Sequence, residues 1–185
     1  SNINIGDIYE IEMIKGGSAG VLFGDGATGG AVNIITKNPN FVRDELNLKT
    51  SLKSFSSKSK SFSYTKKLNN FVIQSFVSEE DTKGYRENSK FKSDNFNFDL
   101  SFLKDPINRY FAKFSYSEQL TEIPGNITLT DFYTRPRYSR TPEDFGTEKV
   151  NSISIGSQNI LDSGNKFSNV FKFEDKDQTT SALSG

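Results

Sequence analysis

The amino-acid sequence predicts a mainly β fold in which about seven antiparallel strands follow one another as a meander. Apolar and polar residues alternate with a period of two in segment after segment, which is typical of strands buried on one face. The 185 residues are only 34% apolar, yet 13% are aromatic, almost all Phe and Tyr. Disordered chains are poor in aromatic residues, so the rings indicate ordered, half-buried sheet.

The first region, residues 1–40, is rich in Gly, Ile and Ala. A strand is predicted from Ile8 to Ile14 and a second from Ala31 to Thr36, with a glycine-rich passage over 16–30 between them. A cluster of turn-forming residues over 38–40 ends this region. We therefore expect one domain over 1–40 and another over 41–185.

The second region contains seven segments with strand periodicity. In the clearest one, Phe96, Phe98, Leu100 and Phe102 alternate with Asn, Asp and Ser residues. The seven predicted strands lie at about 46–53, 61–65, 71–77, 95–102, 109–116, 149–158 and 166–173.

The connections between these segments alternate in length. Short, turn-like ones are expected at 68–70, 105–108 and 162–165, and long ones at about 79–93 and 119–147, whereas the first, near 54–58, is short and breaks the pattern. Such asymmetry is expected of a transmembrane β-barrel with tight turns at one end and long loops at the other. An ordinary antiparallel sheet with variable loops is the alternative.

Composition excludes several function classes. The chain has no Cys and no His, so it carries no disulfide, no thiolate or imidazole metal site and no catalysis by those groups. We expect neither enzymatic activity nor a cofactor or metal. Its 23 basic and 23 acidic residues balance, which gives no general reason to bind nucleic acid.

The glycine-rich passage contains a nucleotide-binding pattern by letter only. Gly24, Gly26 and Gly29 match G-x-G-x-x-G, which binds a dinucleotide when a helix follows it in a βαβ unit. Here a β-branched segment follows and ends within about ten residues at Asn38-Pro39. A soluble nucleotide-binding protein is therefore the weakest hypothesis.

The passage from Ile8 to Lys37 as a whole resembles the end of the plug domain of TonB-dependent outer-membrane receptors. The family pattern is I-E-x-I-E-V-x-[RK]-G-P, then small residues, then [YF]-G-x-G-A-x-G-G-V-I-N-I-x-T-[KR]. Gly17 replaces the usual Pro, and Ala31-Val32 replaces Val-Ile. The plug-motif residues matched here, with an expected structural role, are Glu12, Lys15, Gly16, Gly24, Gly26, Gly29, Gly30 and Asn33.

This resemblance implies a fragment of a receptor in the bacterial outer membrane that takes up a scarce solute, such as an iron–siderophore complex or cobalamin. Residues 1–40 would be the C-terminal part of the plug, and 41–185 the first strands of the barrel. The implied partners are outer-membrane lipid, a small ligand such as a metal chelate, and TonB, through an N-terminal box that is absent here. The long loops would face outward, and the apolar faces of the strands would face lipid. Glu12 and Lys15 would pair with the barrel wall or, alternatively, with each other.

The long loop around 119–147 carries the candidate ligand-binding residues. Its stretch from Glu122 to Leu129 is similar to the L-P-G-x-L-T passage of some iron-complex receptors. On one interpretation an anionic chelate is bound there by guanidinium groups and aromatic rings. On the other, the arginines lie on the rim and pair with Asp131, Glu143 and Asp144. The candidates are Tyr133, Arg135, Arg137, Tyr138 and Arg140.

A passive outer-membrane barrel, porin or adhesin, is the second hypothesis. It explains the predicted strands but leaves the plug-like passage without a role.

Overall fold

The computed structural model describes residues 8–15, 30–36, 43–105, 107–160 and 164–181. They form two compact units, a small one that contains the first two strands and a large one that begins at residue 43. The plug-motif residues Gly16, Gly24, Gly26 and Gly29 lie outside the described residues.

The small unit is an antiparallel pair of strands, β1 (Ile8–Lys15) and β2 (Gly30–Thr36). Both predicted strands are confirmed. Gly30 has a φ of +135°, and a Cβ atom there would lie 2.8 Å from the carbonyl oxygen of Ile14. Position 30 therefore requires glycine for both its backbone angle and its close approach to β1.

The large unit is a seven-stranded antiparallel sheet in which each strand pairs with the next one along the chain. The predicted meander is confirmed, with every predicted strand inside or overlapping an observed one. The strands are β3 (Glu45–Lys53), β4 (Ser57–Leu68), β5 (Phe71–Thr82), β6 (Phe91–Leu103), β7 (Arg109–Glu122), β8 (Phe145–Ile160) and β9 (Lys166–Ser181).

Because the strands alternate in direction, the connections fall at two opposite ends of the sheet. One end carries the connections 69–70, 104–108 and 161–165, and the other carries 54–56, 83–90 and 123–144. The long connections are shorter than the sequence predicts, because polar and charged residues extend the ladders of β5 to β8 beyond their apolar segments. A short helix that the sequence analysis did not predict, α1 (Leu129–Thr134), lies in the longest loop. No helix in the described residues is long and apolar enough to span a bilayer.

A sheet in a water-soluble protein usually buries its apolar face and exposes its polar face, whereas this sheet does the opposite. On one face the register aligns Ile73, Leu100, Ala112, Ile155 and Phe171 across five strands. Large apolar side chains of the central strands on this apolar face are exposed: Ile155 at 54%, Ile153 at 53% and Leu100 at 37%. Among the described residues, Val72 and Leu103 are the only buried apolar side chains, whereas several serines are buried. This sheet therefore leaves its apolar side chains exposed.

The apolar face gives way to charge toward the end with the long loops. In one register row Lys60 lies opposite Glu79, Glu79 opposite Asp94, and Asp94 opposite Glu118. The ammonium of Lys60 lies 3.9 Å from the carboxylate of Glu79. The apolar face therefore has a charged border at the end with the long loops.

The opposite, polar face carries a hydrogen-bonded charge network. Asp99 accepts from the guanidinium of Arg109 at 3.3 Å and from the ammonium of Lys113 at 2.8 Å. The hydroxyl of Ser101 accepts from Arg109 at 2.8 Å and donates to Asp99 at 2.7 Å. Arg109 also lies over the ring of Phe111, 4.9 Å from its centroid. Each charge is partnered, as polar groups on a half-buried surface must be.

Two glycines of β8 test how tightly this polar face is packed. A Cβ at Gly156 would lie 2.4 Å from the carbonyl oxygen of Asn169 and 2.6 Å from a ring carbon of Phe111, whereas one at Gly146 would meet nothing within 4 Å. We expect Gly156→Ala to lower the free energy of unfolding by about 1–3 kcal/mol through overpacking. Gly146→Ala should change it by less than about 1 kcal/mol. Denaturant titration of both variants measures this, and equal effects would contradict the packing described here.

Candidate functional site

The candidate site lies at the end of the sheet that carries the long loops. Three connections meet there: the tight turn 54–56, the loop 83–90 and the loop 123–144. The backbone amide of Lys83 donates to the carbonyl of Phe55 at 3.1 Å, and the rings of Phe55 and Tyr85 pack edge to face at 5.5 Å. The turn 54–56 thus supports the loop 83–90 from one side.

Arg86 joins the loop 83–90 to the loop 123–144. Its guanidinium donates to the backbone carbonyls of Gly125 at 2.7 Å, Pro124 at 3.0 Å and Tyr138 at 2.9 Å, with a further contact from Nε to Tyr138 at 3.2 Å. The two ends of the segment 126–137 are therefore held by one side chain. The carbonyl dipoles stabilise the positive charge of Arg86, which forms no ion pair with a described carboxylate.

The residues next to Arg86 extend this connection. The side-chain amide of Asn88 lies within hydrogen-bond distance of the carbonyls of Ile123 (3.1 Å), Thr141 (2.5 Å) and Asp144 (2.9 Å). The backbone amide of Glu87 donates to the carbonyl of Arg137 at 2.7 Å. Asn88 has a φ of 49°, a left-handed conformation that Asn adopts more readily than most residues. Two loops that are far apart in sequence thus share one hydrogen-bond network.

Helix α1 is fixed by its own side chains. Thr128 caps it, because its hydroxyl oxygen accepts from the backbone amide of Asp131 at 3.1 Å. The Nε of Arg135 donates to the Asp131 carboxylate at 2.6 Å, and the guanidinium stacks on the Tyr138 ring at 3.8 Å. The Arg135 hydrogen bond, and next the hydroxyl of Thr128, hold the pKa of Asp131 below its ordinary value of 3.8.

The structure separates the five candidate ligand-binding residues into two groups. Arg135 pairs with Asp131, one of the partners that the rim interpretation names, and Tyr138 lies beneath it. Tyr133 is 75% exposed, and Arg137 and Arg140 are exposed and form no ion pair with any described residue. Arg137 lies 5.4 Å from the centroid of the Tyr85 ring. Three of the five candidates therefore present unneutralised charge or an open ring to solvent.

Two pairs of plug-motif residues lie opposite each other in the small unit. Glu12 pairs in register with Asn33, and Lys15 with Gly30. Glu12 and Lys15 are three residues apart on one strand, so their side chains project from opposite faces of β1. The strands that flank the literal G-x-G-x-x-G are antiparallel neighbours, whereas a dinucleotide site requires parallel strands in a βαβ unit.

Sequence reasoning missed Arg86 and Asn88. Their partners are backbone carbonyls, which carry no residue-type pattern. Gly84, just before them, is the residue type that marks a sharp turn here, and its φ of +71° confirms that turn. Across the described part of the chain no group of three acidic side chains is arranged to hold a metal ion.

Comparisons with known proteins bear on the fold. No protein-family model matches the chain, and no curated protein matches it either. Solved structures do: the ferric citrate transporter FecA in its unliganded form (19% identity, TM-score 0.79) and the open form of the ferric-catecholate import receptor Fiu from E. coli K12 (16%, 0.79). A third is the complex of FpvAI with pyocin S2 (13%, 0.73).

The matches cover 99%, 94% and 93% of this chain but only 29%, 29% and 26% of the respective solved chains. The chain thus spans less than a third of the structures that it matches. These similarities show that it has the fold of part of a TonB-dependent receptor, as the resemblance in the sequence implies.

The ion pair that holds α1 has a predictable pH response. A carboxyl whose folded pKa is lowered stabilises the fold at neutral pH, and this contribution is lost as the pH falls through the lowered pKa, below 3.8. Arg135→Gln removes the largest cause of the shift, so the Asp131 pKa should rise toward 3.8. Titration of the Asp131 carboxyl carbon by NMR measures this, and an unchanged midpoint in Arg135→Gln would contradict the assigned pair.

Proposed function

We propose that the chain is part of a TonB-dependent outer-membrane receptor that takes up a scarce anionic metal chelate. The observation that carries this proposal is the reversal of the sheet's faces, exposed apolar on one side and hydrogen-bonded polar on the other. A transmembrane barrel wall needs this arrangement, because lipid contacts the outside and the interior is polar. The shared fold supports the receptor class in particular.

The two units take separate roles in this proposal. Residues 1–40 form the C-terminal part of the plug, and 41–185 form the N-terminal part of the barrel. The antiparallel strands β1 and β2 carry four of the plug-motif residues, Glu12, Lys15, Gly30 and Asn33, and the seven-stranded meander supplies the wall. In the described residues β3 and β9 each pair on one side alone. Since bilayers exclude open sheet edges, further strands are required in the complete protein.

The proposed substrate class follows from the loop end of the sheet. Arg137 and Arg140 offer positive charge that no described carboxylate neutralises, and Tyr133 offers an exposed ring beside them in sequence. Guanidinium groups bind planar carboxylates and other anions through paired hydrogen bonds. Two of the matched proteins are named for ferric citrate and for ferric catecholate, both complexes of iron with anionic ligands. We infer an iron chelate as the substrate of this protein, TonB as its energy-coupling partner and the bacterial outer membrane as its location.

A passive outer-membrane barrel is the second candidate function. The same sheet would serve it, and the alternation of short and long connections fits it equally well. It does not explain the plug-like strand pair, in which Glu12 lies opposite Asn33 and Lys15 opposite Gly30. No catalytic role is proposed for any residue.

Uptake measurements separate the two candidates. Cells that express the protein are given labelled ferric citrate or a labelled ferric catecholate, with and without functional TonB. We expect one complex to bind in both strains and to accumulate inside only when TonB is present. A passive barrel would admit it in both strains. Recovery of the protein in the soluble fraction without detergent would contradict both.

The arginines are tested in the same assay. Loss of two charge-assisted contacts in Arg137→Ala/Arg140→Ala should weaken chelate binding by at least about tenfold. Arg43→Ala, at an exposed arginine outside the loops, is the matched control and should bind as the unaltered protein does. Equal binding by both variants would remove Arg137 and Arg140 from the proposed site.

A further inference from the structure

Arg86 and Asn88 are not candidate ligand-binding residues, yet they make most of the contacts between the two long loops. We propose that they are positioning residues, which lock the loops 83–90 and 123–144 into one rigid unit before any ligand binds. The inference rests on the proposed function for its consequence, ligand binding. The connection between the loops is a property of the free protein and does not depend on that function.

The contacts of Arg86 close the segment 126–137 at its base. Pro124 and Gly125 precede this segment and Tyr138 follows it, and one guanidinium bonds to the carbonyls of all three. The segment contains α1 and the exposed Arg137. Pinning both ends of a flexible segment at one point removes much of its conformational freedom. Release of Arg86 would remove most of the side-chain bonds that close this base and leave mainly the backbone bonds from Arg140 to Pro124 and from Glu87 to Arg137.

Asn88 secures a second level, closer to the sheet. Its amide reaches the carbonyls of Ile123 and Asp144, where the chain leaves β7 and enters β8, and that of Thr141 between them. The backbone amide of Ile123 donates to the carbonyl of Asp144 at 2.9 Å, so this level continues the ladder of the two strands. Arg86 and Asn88 thus hold the loop at two levels, one at residues 124, 125 and 138 and the other at residues 123, 141 and 144.

The side chain of Arg86 is suited to holding the loop. Arginine presents five donors in a planar fork and can reach three carbonyls at once, whereas the ammonium of lysine is a point charge on a flexible stem. The charge of Arg86 faces carbonyls, and no described carboxylate forms an ion pair with it. Arg137 and Arg140 form no ion pair with any described residue and so offer their charge to a ligand, while Arg86 supplies the rigidity.

A locked loop should bind its ligand more tightly, because the ordering cost is met during folding rather than during binding. This distinguishes a positioning residue from a binding residue. Substitution of Arg86 should first loosen the free loop, and the affinity should fall as a consequence.

Limited trypsin digestion of the free protein, in the membrane fraction and as the cell makes it, tests the lock without a ligand. Cleavage after Arg137 and Arg140 reports opening of the segment, and Arg86→Lys and Asn88→Asp leave both sites in place. We expect each variant to be cut there at least about tenfold faster, because local opening controls the rate. The controls are Arg43→Lys, the same change outside the loops, and Asn126→Asp, which adds the same negative charge in the loop 123–144 that contains the cleavage sites. Both should be cut at the original rate.

Unchanged cleavage in Arg86→Lys and Asn88→Asp would overturn the proposal. A variant that failed to fold would also be cut within the strands, for example after Lys60. In that case the other variant is decisive: faster cleavage confined to the loop supports the proposal, and unchanged cleavage there overturns it.

Binding of ferric citrate and of a ferric catecholate then tests the consequence. We expect Arg86→Lys, which preserves the charge, to weaken binding about tenfold, in step with its loosened loop. Faster cleavage with unchanged affinity would overturn the positioning role. If neither complex binds to the unaltered protein although the loops are locked, the proposed substrate class is wrong and the lock stands.

Discussion

An unbroken register across seven strands is the constraint on which the rest of this structure depends. From β3 to β9 the pairing of each strand with the next runs without a shift, so side chains of one parity in a strand remain on one face throughout. A slip of one residue between any two strands would exchange the faces and move phenylalanines onto the polar side. Phe98 beside Phe114 and Asn97 beside Ser115 show the two faces side by side. The separation of apolar from polar surface is thus a property of the register, and no buried apolar core is needed to produce it.

The register also determines where the loops can lie. Consecutive antiparallel neighbours send every second connection to the same end, which brings the turn 54–56 and the loops 83–90 and 123–144 together. Once they are adjacent, Arg86 and Asn88 can join them through backbone carbonyls. The same closeness of strands demands glycine at position 156, where the ring of Phe111 and the backbone of β9 leave no room for a side chain. The sheet therefore positions the loops and their charged side chains, whereas the pairing of its strands does not depend on those charges.

The sequence predicts much of the fold and only part of the site. Period-2 alternation predicts all seven strands, because the apolar face and the polar face are each continuous in the chain itself. It fails at the strand ends: β8 runs from Phe145 to Ile160 rather than 149–158, since hydrogen bonding continues where apolar alternation stops. Helix α1 is too short for helical periodicity and depends on the Thr128 cap and the Asp131–Arg135 pair. Arg86 could not be predicted, because its partners are carbonyls that any residue supplies. The role of the plug-motif residues stays a prediction.

Site-directed spin labelling along β6 tests the central claim, that the apolar face contacts lipid and the polar face does not, most directly. The chain has no cysteine, so single cysteines can be introduced one at a time from Phe96 to Leu103 in the membrane-embedded protein. Labels at 96, 98, 100 and 102 should be accessible to oxygen, which concentrates in lipid, and labels at 97, 99 and 101 to a water-soluble paramagnetic reagent. The two accessibility profiles should alternate with a period of two and in opposite phase. Profiles in which both faces are equally open to the water-soluble reagent would contradict the account.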